Sequence, residues 1–242
     1  MRILRRGLIW AFGVFSALMT FLPESIFSNC CFVKKMIENS KFRIDGDNYS
    51  IVIEYGDLLK KEKCQRVINF DECYTTRVGT GTADIKKDTV CGQYLNNNPN
   101  LDVQALISIS GVKPCRRKSK FNNLTCYEPG TIVANGDDLL MAFTKLESNG
   151  KSMKFTVEEY LKCLSRLWEE IDNNYCNKDV CIPVLGSGVA RFENGTSQSI
   201  SKQELVDLMI SSYKLSPYKL KNNNALHIIC KRSDDFSMDK VT

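Results

Sequence analysis

The stretch Cys181-Ile-Pro-Val-Leu-Gly-Ser-Gly-Val-Ala-Arg-Phe192 indicates both the fold class and the position of a site. Its apolar start does not alternate with polar residues, which is typical of a strand buried on both faces of a parallel sheet. Two glycines, Gly186 and Gly188, follow where that strand should end. Ligands of such sheets bind outside the carboxyl ends of the strands, so this turn is a candidate ligand-binding loop. The alternative is that both glycines serve only the turn itself.

Strands and helices are expected to alternate on either side of this stretch. Two capping boxes, Thr156 with Glu159 and Ser201 with Glu204, predict the starts of two helices. Short apolar or β-branched runs predict strands at 49–55, 64–70, 105–111, 130–135, 179–186 and 225–231. Such an order implies parallel strands joined by crossovers, and therefore an α/β layered fold.

Composition argues against several functional classes. The 242 residues carry a net charge of only +5, spread along the chain, so no nucleic-acid partner is expected. There are 11 cysteines but no closely spaced pair of the CxxC type, and His227 is the single histidine. A zinc site is therefore not expected, and a reducing compartment with free thiols fits better than a disulfide framework. No partner for a catalytic triad around His227 is apparent.

The amino-terminal segment has the strongest compositional bias. Gly7 to Pro23 carries no charge and is flanked by Arg6 and Glu24. As a helix it would be about 25 Å long, and a few flanking residues extend it across a bilayer. This predicts a transmembrane segment at 1–27, a linker at 28–44 and a folded domain at 45–242. A cleaved signal peptide and a buried helix remain as alternatives.

Three turns share a composition suited to anion binding. Gly56-Asp57 ends the first predicted strand, a glycine-rich stretch from Arg77 to Asp84 follows the second, and Gly186 to Phe192 follows the later one. Glycine allows backbone N–H groups to face an anion because no Cβ lies in the way. Arg77 and Arg191 could add charge-assisted hydrogen bonds to a diphosphate.

Taken in order, these segments resemble the macro domain, an ADP-ribose-binding α/β fold. The resemblance rests on IVIEYGDLL (51–59), VINFDECYTTRVGTGTADI (67–85), CIPVLGSGVARF (181–192) and HIICKRSDDF (227–236). It implies a three-layer sandwich with a mixed central sheet. It also implies that the aspartate of the first turn binds the adenine amino group, and that the two glycine turns hold ribose and phosphates.

The resemblance implies a ligand site made of these turns and of the segment after the last strand. Leu58, Val189 and Phe192 would form an apolar rim. The implied ligand-binding residues are Asp57, Leu58, Asn69, Gly79, Thr80, Gly81, Leu185, Gly186, Ser187, Gly188, Val189, Ala190, Arg191, Phe192 and Phe236. The expected ligand is an ADP-ribose derivative, with no metal and no separate cofactor.

The chain departs from the hydrolytic members of the macro family. Phe70, Asp71 and Glu72 replace the residues that follow the family asparagine, here Asn69, and the glycine run is thinned. Binding without turnover is therefore favoured, with no catalytic residue assigned. The alternative is an ADP-ribosyl hydrolase whose turnover depends on Asn69 or Glu72.

A membrane segment joined to a divergent macro domain is similar to the membrane-anchored effectors of bacterial Thoeris anti-phage systems. That resemblance implies a nucleotide second messenger made by a TIR-domain partner and bound by a cytoplasmic macro domain. It further implies a single- or few-pass protein of the bacterial cell membrane that assembles into homo-oligomers on activation. Membrane disruption would then kill the infected cell. A membrane-tethered adaptor with no nucleotide affinity is a third reading.

Overall fold

A computed structural model describes residues 41–188, 191–192, 200–232 and 236–241, with backbone alone at Arg191, Phe192 and Asp239. The predicted transmembrane segment at 1–27 and residues 28–40 of the predicted linker lie outside the described residues. Residues 41–44, also predicted as linker, instead belong to the first strand of the sheet. Among the residues that the structure describes, none of the helices has the length and hydropathy needed to cross a membrane.

The centre of the domain is a mixed sheet of seven strands in the order β1-β2-β9-β7-β3-β5-β4. The five inner strands are parallel, and the edge strands β1 and β4 run antiparallel to their neighbours. A separate parallel pair joins β6 to β8. The strands are β1 Lys41–Asp45, β2 Ser50–Tyr55, β3 Cys64–Asp71, β4 Ile132–Asn135, β5 Asp138–Thr144, β6 Lys154–Phe155, β7 Asp179–Pro183, β8 Arg191–Phe192 and β9 Leu226–Cys230.

Helices cover both faces of this sheet. They are α1 Val90–Asn97, α2 Val103–Ser110, α3 Val157–Asn173 and α4 Lys202–Leu215, with short 3-10 helices at Leu58–Lys60 and Met238–Lys240. Helices α3 and α4 pack on one face, and α1 and α2 pack on the other, so that two apolar cores flank the sheet. Side chains of strand β3 pack in both cores because they alternate between the two faces of the sheet, with Val67 in the first core and Ile68 in the second. The predicted α/β class, mixed sheet and three layers are confirmed.

The two long helices begin where the sequence indicated. Thr156 accepts from the Glu159 N–H, and the Glu159 side chain accepts in return from the Thr156 N–H. Ser201 and Glu204 make the same reciprocal pair at the start of α4. Each box satisfies backbone donors that the first helical turn leaves open, which fixes the helix start within one residue.

The strand predicted at 105–111 is wrong, because this segment is helix α2. Asp102 caps it by accepting from the Ala105 N–H, and Gly111 ends it in the left-handed conformation at φ 65°. Val103 and Ile107 lie one helical turn apart and are buried, while Ile109 is 82% exposed. The run of apolar residues is thus helical, with a single buried stripe.

A charged cluster lies on the sheet where β1, β2 and β9 meet. The buried Glu54 carboxylate is 2.8 Å from Lys41 Nζ, 2.8 Å from Lys61 Nζ and 2.9 Å from His227 Nδ1. His227 Nε2 is 3.4 Å from an oxygen of Asp179. Burial alone would raise the pKa of Glu54, but hydrogen bonds from these three partners more than offset it and hold that pKa far below its ordinary value. His227 is therefore a strand residue engaged between two carboxylates.

Candidate functional site

The carboxyl ends of the five parallel strands meet at one edge of the sheet, here called the carboxyl edge. Because β2, β9, β7 and β3 are consecutive neighbours in the sheet, the segments that follow them emerge side by side. Gly56-Asp57 follows β2, residues 231–232 follow β9, Gly186–Gly188 follows β7, and Asp71-Glu72 ends β3. The architecture therefore places three of the sequence-predicted segments at the position where ligands of parallel sheets bind.

Asp57 begins the short 3-10 helix immediately after β2. Its Oδ1 accepts from the Leu59 N–H at 3.1 Å, and its Oδ2 lies 3.8 Å from the exposed Lys60 Nζ. The side chain remains 42% exposed. The capping role and a ligand-binding role are thus compatible, because they use different oxygens. Leu58, predicted as part of an apolar rim, is only 3% exposed and packs in the second core.

An aromatic group lies beside Asp57, where β2 and β9 end. The Tyr55 and Phe236 rings meet edge to face with centroids 5.7 Å apart. The Arg232 guanidinium lies over the Tyr55 ring at 5.0 Å from its centroid. The predicted Phe236 therefore contacts the last residue of β2, but it is only 6% exposed and belongs to the first core. Tyr55 and Arg232 were not predicted as site residues, although both lie within the motifs at 51–59 and 227–236.

The turn after β7 carries the glycine pair. Gly186 adopts φ 84°, a left-handed conformation that side chains rarely adopt, and the Ser187 hydroxyl donates to the Val184 carbonyl at 2.7 Å. Leu185 is 1% exposed, and its carbonyl accepts from the Tyr160 hydroxyl at 3.0 Å. A Cβ added at Gly188 would meet nothing within 4 Å. Gly186 is therefore required by the turn, whereas no described residue around Gly188 requires a glycine there.

The continuation of this loop is described only in part. Val189 and Ala190 lie outside the described residues. The backbone of Arg191 and Phe192 forms β8, which pairs with Lys154 and Phe155 of β6. The predicted roles of these four loop residues therefore stay predictions.

The second glycine-rich turn closes on itself. The Gly79 N–H donates to the Ile85 carbonyl at 3.1 Å, and the Gly81 N–H donates to Asp84 Oδ2 at 2.8 Å. Arg77 Nε is 3.0 Å from Asp84 Oδ1. The Thr80 carbonyl accepts from Lys86 Nζ at 3.1 Å. Two of the backbone donors that the sequence analysis assigned to a ligand are thus used within the turn.

The residues after β3 use their carboxylates for structure. Glu72 is 1% exposed and accepts from the Ser119 hydroxyl at 2.7 Å and from the Leu146 N–H at 3.1 Å. Its other oxygen is 2.9 Å from Arg117 Nη2. A carboxylate held by these groups has no room to act on a bound ligand. Glu72 is therefore a poor candidate for the base of the alternative hydrolase.

Asp71 and Asn69 lie next to this buried carboxylate. Asp71 accepts from the Cys73 N–H at 2.8 Å and from the Thr75 hydroxyl, and burial raises its pKa despite these bonds. Asn69 lies on the opposite face of β3 from Ile68 and is partly exposed. Within the described part of the chain, its side chain makes no hydrogen bond, so it stays free to contact a ligand.

The described residues contain neither a cluster of metal ligands nor a disulfide bond. No group of three or more His, Cys, Asp or Glu side chains there is arranged to hold a metal ion. The nine cysteines at described positions are free thiols, and burial raises the pKa of Cys91 well above its ordinary value. The site therefore offers hydrogen bonds, charges and aromatic faces as its means of recognition.

Comparison with known proteins places this geometry in a family. Residues 51–231 match the family model described as the macro domain of Thoeris protein ThsA. Thoeris protein ThsA of Bacillus amyloliquefaciens is 25% identical over 212 residues, which cover 82% of this chain and 67% of that protein. The matched residues include the segments after β2, β3 and β7 at the carboxyl edge, but the match ends before Arg232 and Phe236.

Solved structures of macrodomains also align with the chain. A mutant of the Oceanobacillus iheyensis macrodomain with ADPR is 9% identical and covers 81% of this chain and 92% of its own, with a TM-score of 0.46. The macrodomain of Thermus aquaticus DarG is 15% identical and covers 75% of this chain and 97% of its own, with a TM-score of 0.43.

Proposed function

The chain belongs to the Thoeris ThsA macro-domain family, and on that premise we propose that its carboxyl edge binds an ADP-ribose-derived nucleotide as a signal. The observation that carries the proposal is the convergence of Asp57, the aromatic group at Tyr55 and the Gly186–Gly188 turn. They lie at the carboxyl ends of β2 and β7, which are separated in the sheet only by β9. Two strand spacings amount to about 10 Å, which an adenosine diphosphate can bridge.

The β2 end of the site suits an adenine base. The Asp57 oxygen that does not cap the 3-10 helix is an acceptor for the exocyclic amine. The partly exposed Tyr55, two residues earlier, provides apolar ring surface, and the buried Phe236 supports that ring through an edge-to-face contact. Stacking on an aromatic ring contributes about 1–3 kcal/mol per base, so these groups together supply both an orienting hydrogen bond and affinity.

The β7 end suits a diphosphate. Successive backbone N–H groups around a left-handed residue form a concavity that binds anions, and Gly186 provides that conformation. The space beside Gly188 allows a phosphate to approach the backbone closely. Arg191, assigned from the sequence, would add a charge-assisted hydrogen bond.

The contacts of the Asp71 and Glu72 carboxylates favour ligand binding without turnover. Glu72 is buried against Arg117, and Asp71 accepts from the backbone and hydroxyl of Thr75. A general base must reach the proton that it abstracts, directly or through one water. With these two carboxylates engaged, we propose a receptor rather than an ADP-ribosyl hydrolase.

In the cell, the nucleotide would be a second messenger made by a TIR-domain partner during phage infection. Its binding would activate the amino-terminal segment, which we propose anchors the protein in the bacterial membrane with the macro domain in the cytoplasm. Assembly into homo-oligomers and membrane disruption would then kill the infected cell. The support for these steps is the family membership together with the uncharged segment Gly7 to Pro23.

Calorimetry on the 242-residue chain tests the proposal. ADP-ribose, NAD and amino-acid conjugates of ADP-ribose would be titrated in turn, and each ligand recovered for mass spectrometry. Tight binding of one derivative that is recovered intact supports a receptor. Conversion of the ligand supports the hydrolase, and binding of none supports the adaptor.

Expression in bacteria together with a TIR-domain partner tests the effector role. Wild-type protein should arrest growth when the signal is made, and Asp57→Ala should not. Growth arrest by the Asp57→Ala variant would contradict a nucleotide-gated effector.

A further inference from the structure

The glycine-rich turn at residues 77–86 already holds an anion, and that anion is the side chain of Asp84. One Asp84 oxygen accepts from the Gly81 N–H at 2.8 Å, and the other is 3.0 Å from Arg77 Nε. The Asp84 side chain is 10% exposed, whereas that of Arg77 is 85% exposed. The carboxylate thus lies inside the turn, and its cationic partner lies outside.

The two glycines are needed for this arrangement. A Cβ at Gly81 would come within 2.7 Å of Asp84 Oδ2, and a Cβ at Gly79 would come closer still. The close approach of an anion to glycine backbone, with an arginine on its far side, is the arrangement that a bound phosphate would adopt. Asp84 therefore fills the role that the sequence analysis gave to the ligand.

We infer that Asp84 is an internal anion that competes with an anionic ligand for this turn. The inference rests on the proposed binding of an ADP-ribose-derived nucleotide. Its Arg77 partner is mostly exposed, so the ion pair itself contributes little free energy. The main cost of displacing Asp84 is the loss of the hydrogen bond from the Gly81 N–H, which a ligand phosphate would replace. While Asp84 remains in the turn, its charge repels a phosphate. Only a ligand that makes further contacts elsewhere along the carboxyl edge overcomes that repulsion, so Asp84 determines specificity.

The test compares the wild-type 242-residue chain with Asp84→Asn and with Asp88→Asn as the matched control. Asparagine keeps the acceptor for the Gly81 N–H and removes the charge. Asp88 is an exposed residue close by in sequence, and its replacement changes the net charge by the same amount. Calorimetry with ADP-ribose and with inorganic pyrophosphate at low and high salt gives the affinities. Thermal melting shows whether each variant is folded.

The inference predicts that Asp84→Asn binds ADP-ribose roughly tenfold more tightly than wild type, and that salt reduces the difference. Asp88→Asn should match wild type. A folded Asp84→Asn protein with equal or weaker affinity overturns the inference while leaving the proposed function intact, provided that wild type binds.

Two further outcomes separate the inference from the proposed function. If neither protein binds ADP-ribose but Asp84→Asn gains affinity for pyrophosphate, the inference stands and the proposed function fails. If neither protein binds either probe, both fail. An Asp84→Asn protein that does not fold overturns the inference, because it makes Asp84 a structural residue of the turn.

Discussion

Replacement of Gly188 by alanine should weaken nucleotide binding without changing the stability of the fold. An added Cβ at this position meets no atom within 4 Å, and Gly188 is not among the glycines with a positive φ. Neither a clash nor backbone strain therefore opposes the substitution. Among the described residues the new methyl would obstruct none, but it would obstruct a ligand phosphate that approaches the backbone of the Gly186–Gly188 turn.

The expected loss of affinity follows from the hydrogen bond that the methyl prevents. A hydrogen bond to a charged group contributes about 1.5–3 kcal/mol. Loss of one such bond to the diphosphate weakens binding by roughly 10- to 150-fold. The same substitution should change the melting temperature of the unliganded protein by less than about 2 °C, because a surface change without strain stays within about 0.5 kcal/mol.

Gly111→Ala is the matched control. Gly111 also has open space around it, but it ends α2 at φ 65°, so alanine there costs about 1–2 kcal/mol of stability. That substitution should lower the melting temperature by roughly 2–8 °C and leave nucleotide affinity unchanged. Calorimetry and thermal melting of both variants are the assay. Wild-type affinity in Gly188→Ala, or a loss of affinity that follows a loss of stability, would refute the reasoning.

Three further substitutions test other parts of the account. Glu54→Gln should lower the free energy of unfolding most at neutral pH. The pKa of Glu54 is depressed in the folded state, so the ionised carboxylate contributes its full stabilisation above its ordinary pKa of about 4.3. That stabilisation is lost progressively as the pH falls below this value towards the folded-state pKa. Denaturant unfolding at pH 7 and pH 3 checks this, and an equal difference at both would contradict it. Arg117→Ala, which leaves the Glu72 carboxylate buried without its ion pair, should cost about 1–3 kcal/mol of stability yet leave nucleotide affinity unchanged; reduced affinity in a folded protein would place Glu72 in the site. Asp57→Asn keeps an acceptor for the 3-10 helix but loses the charged acceptor for adenine, so affinity for ADP-ribose should fall roughly tenfold in calorimetry with the melting temperature unchanged. Equal affinity would remove Asp57 from the site.

Capping chemistry and buried strands were predictable because local sequence determines them. The boxes at Thr156 and Ser201 satisfy backbone donors within one turn, so no distant contact is needed to locate the helix starts. The unbroken apolar run at 181–185 likewise requires burial on both faces, which only an inner strand of a covered sheet provides. These two signals were enough to predict the α/β layered class, whereas the three layers and the mixed sheet were implied by the family resemblance.

Helix α2 and strand β5 were not predictable in the same way. An apolar run of eight residues fits a strand or a helix equally well, and at α2 the decision depends on the Asp102 cap and on packing against β4. Strand β5 at Asp138–Thr144 was missed, although it lies between β3 and β4 and is nearly all buried. Its start is fixed by tertiary contacts, such as the ion pair of Asp138 with Arg66.

The sequence predicted the positions of the turns that form the site, but not the hydrogen bonds and packing of the residues in them. Glycine spacing located the turns at Gly56, Gly79 and Gly186, and sheet topology then brings the first and third of them to the same edge of the sheet, two strands apart. The sequence does not say which backbone donors are already used. The Asp84 carboxylate in the second turn and the burial of Leu58 depend on side-chain packing, which motif spacing does not encode.

Hydrogen exchange of backbone amides with and without ADP-ribose tests the central claim most directly. In the free protein, the Ser187 N–H makes only a long bond of 3.4 Å to the Val184 carbonyl, so it should exchange quickly. The account predicts that ADP-ribose slows exchange in peptides that cover residues 55–58 and 184–188, while peptides from the distant helix α2 do not change. Unchanged exchange at both segments, or protection confined to another surface, would contradict the assignment of the nucleotide site to the carboxyl edge.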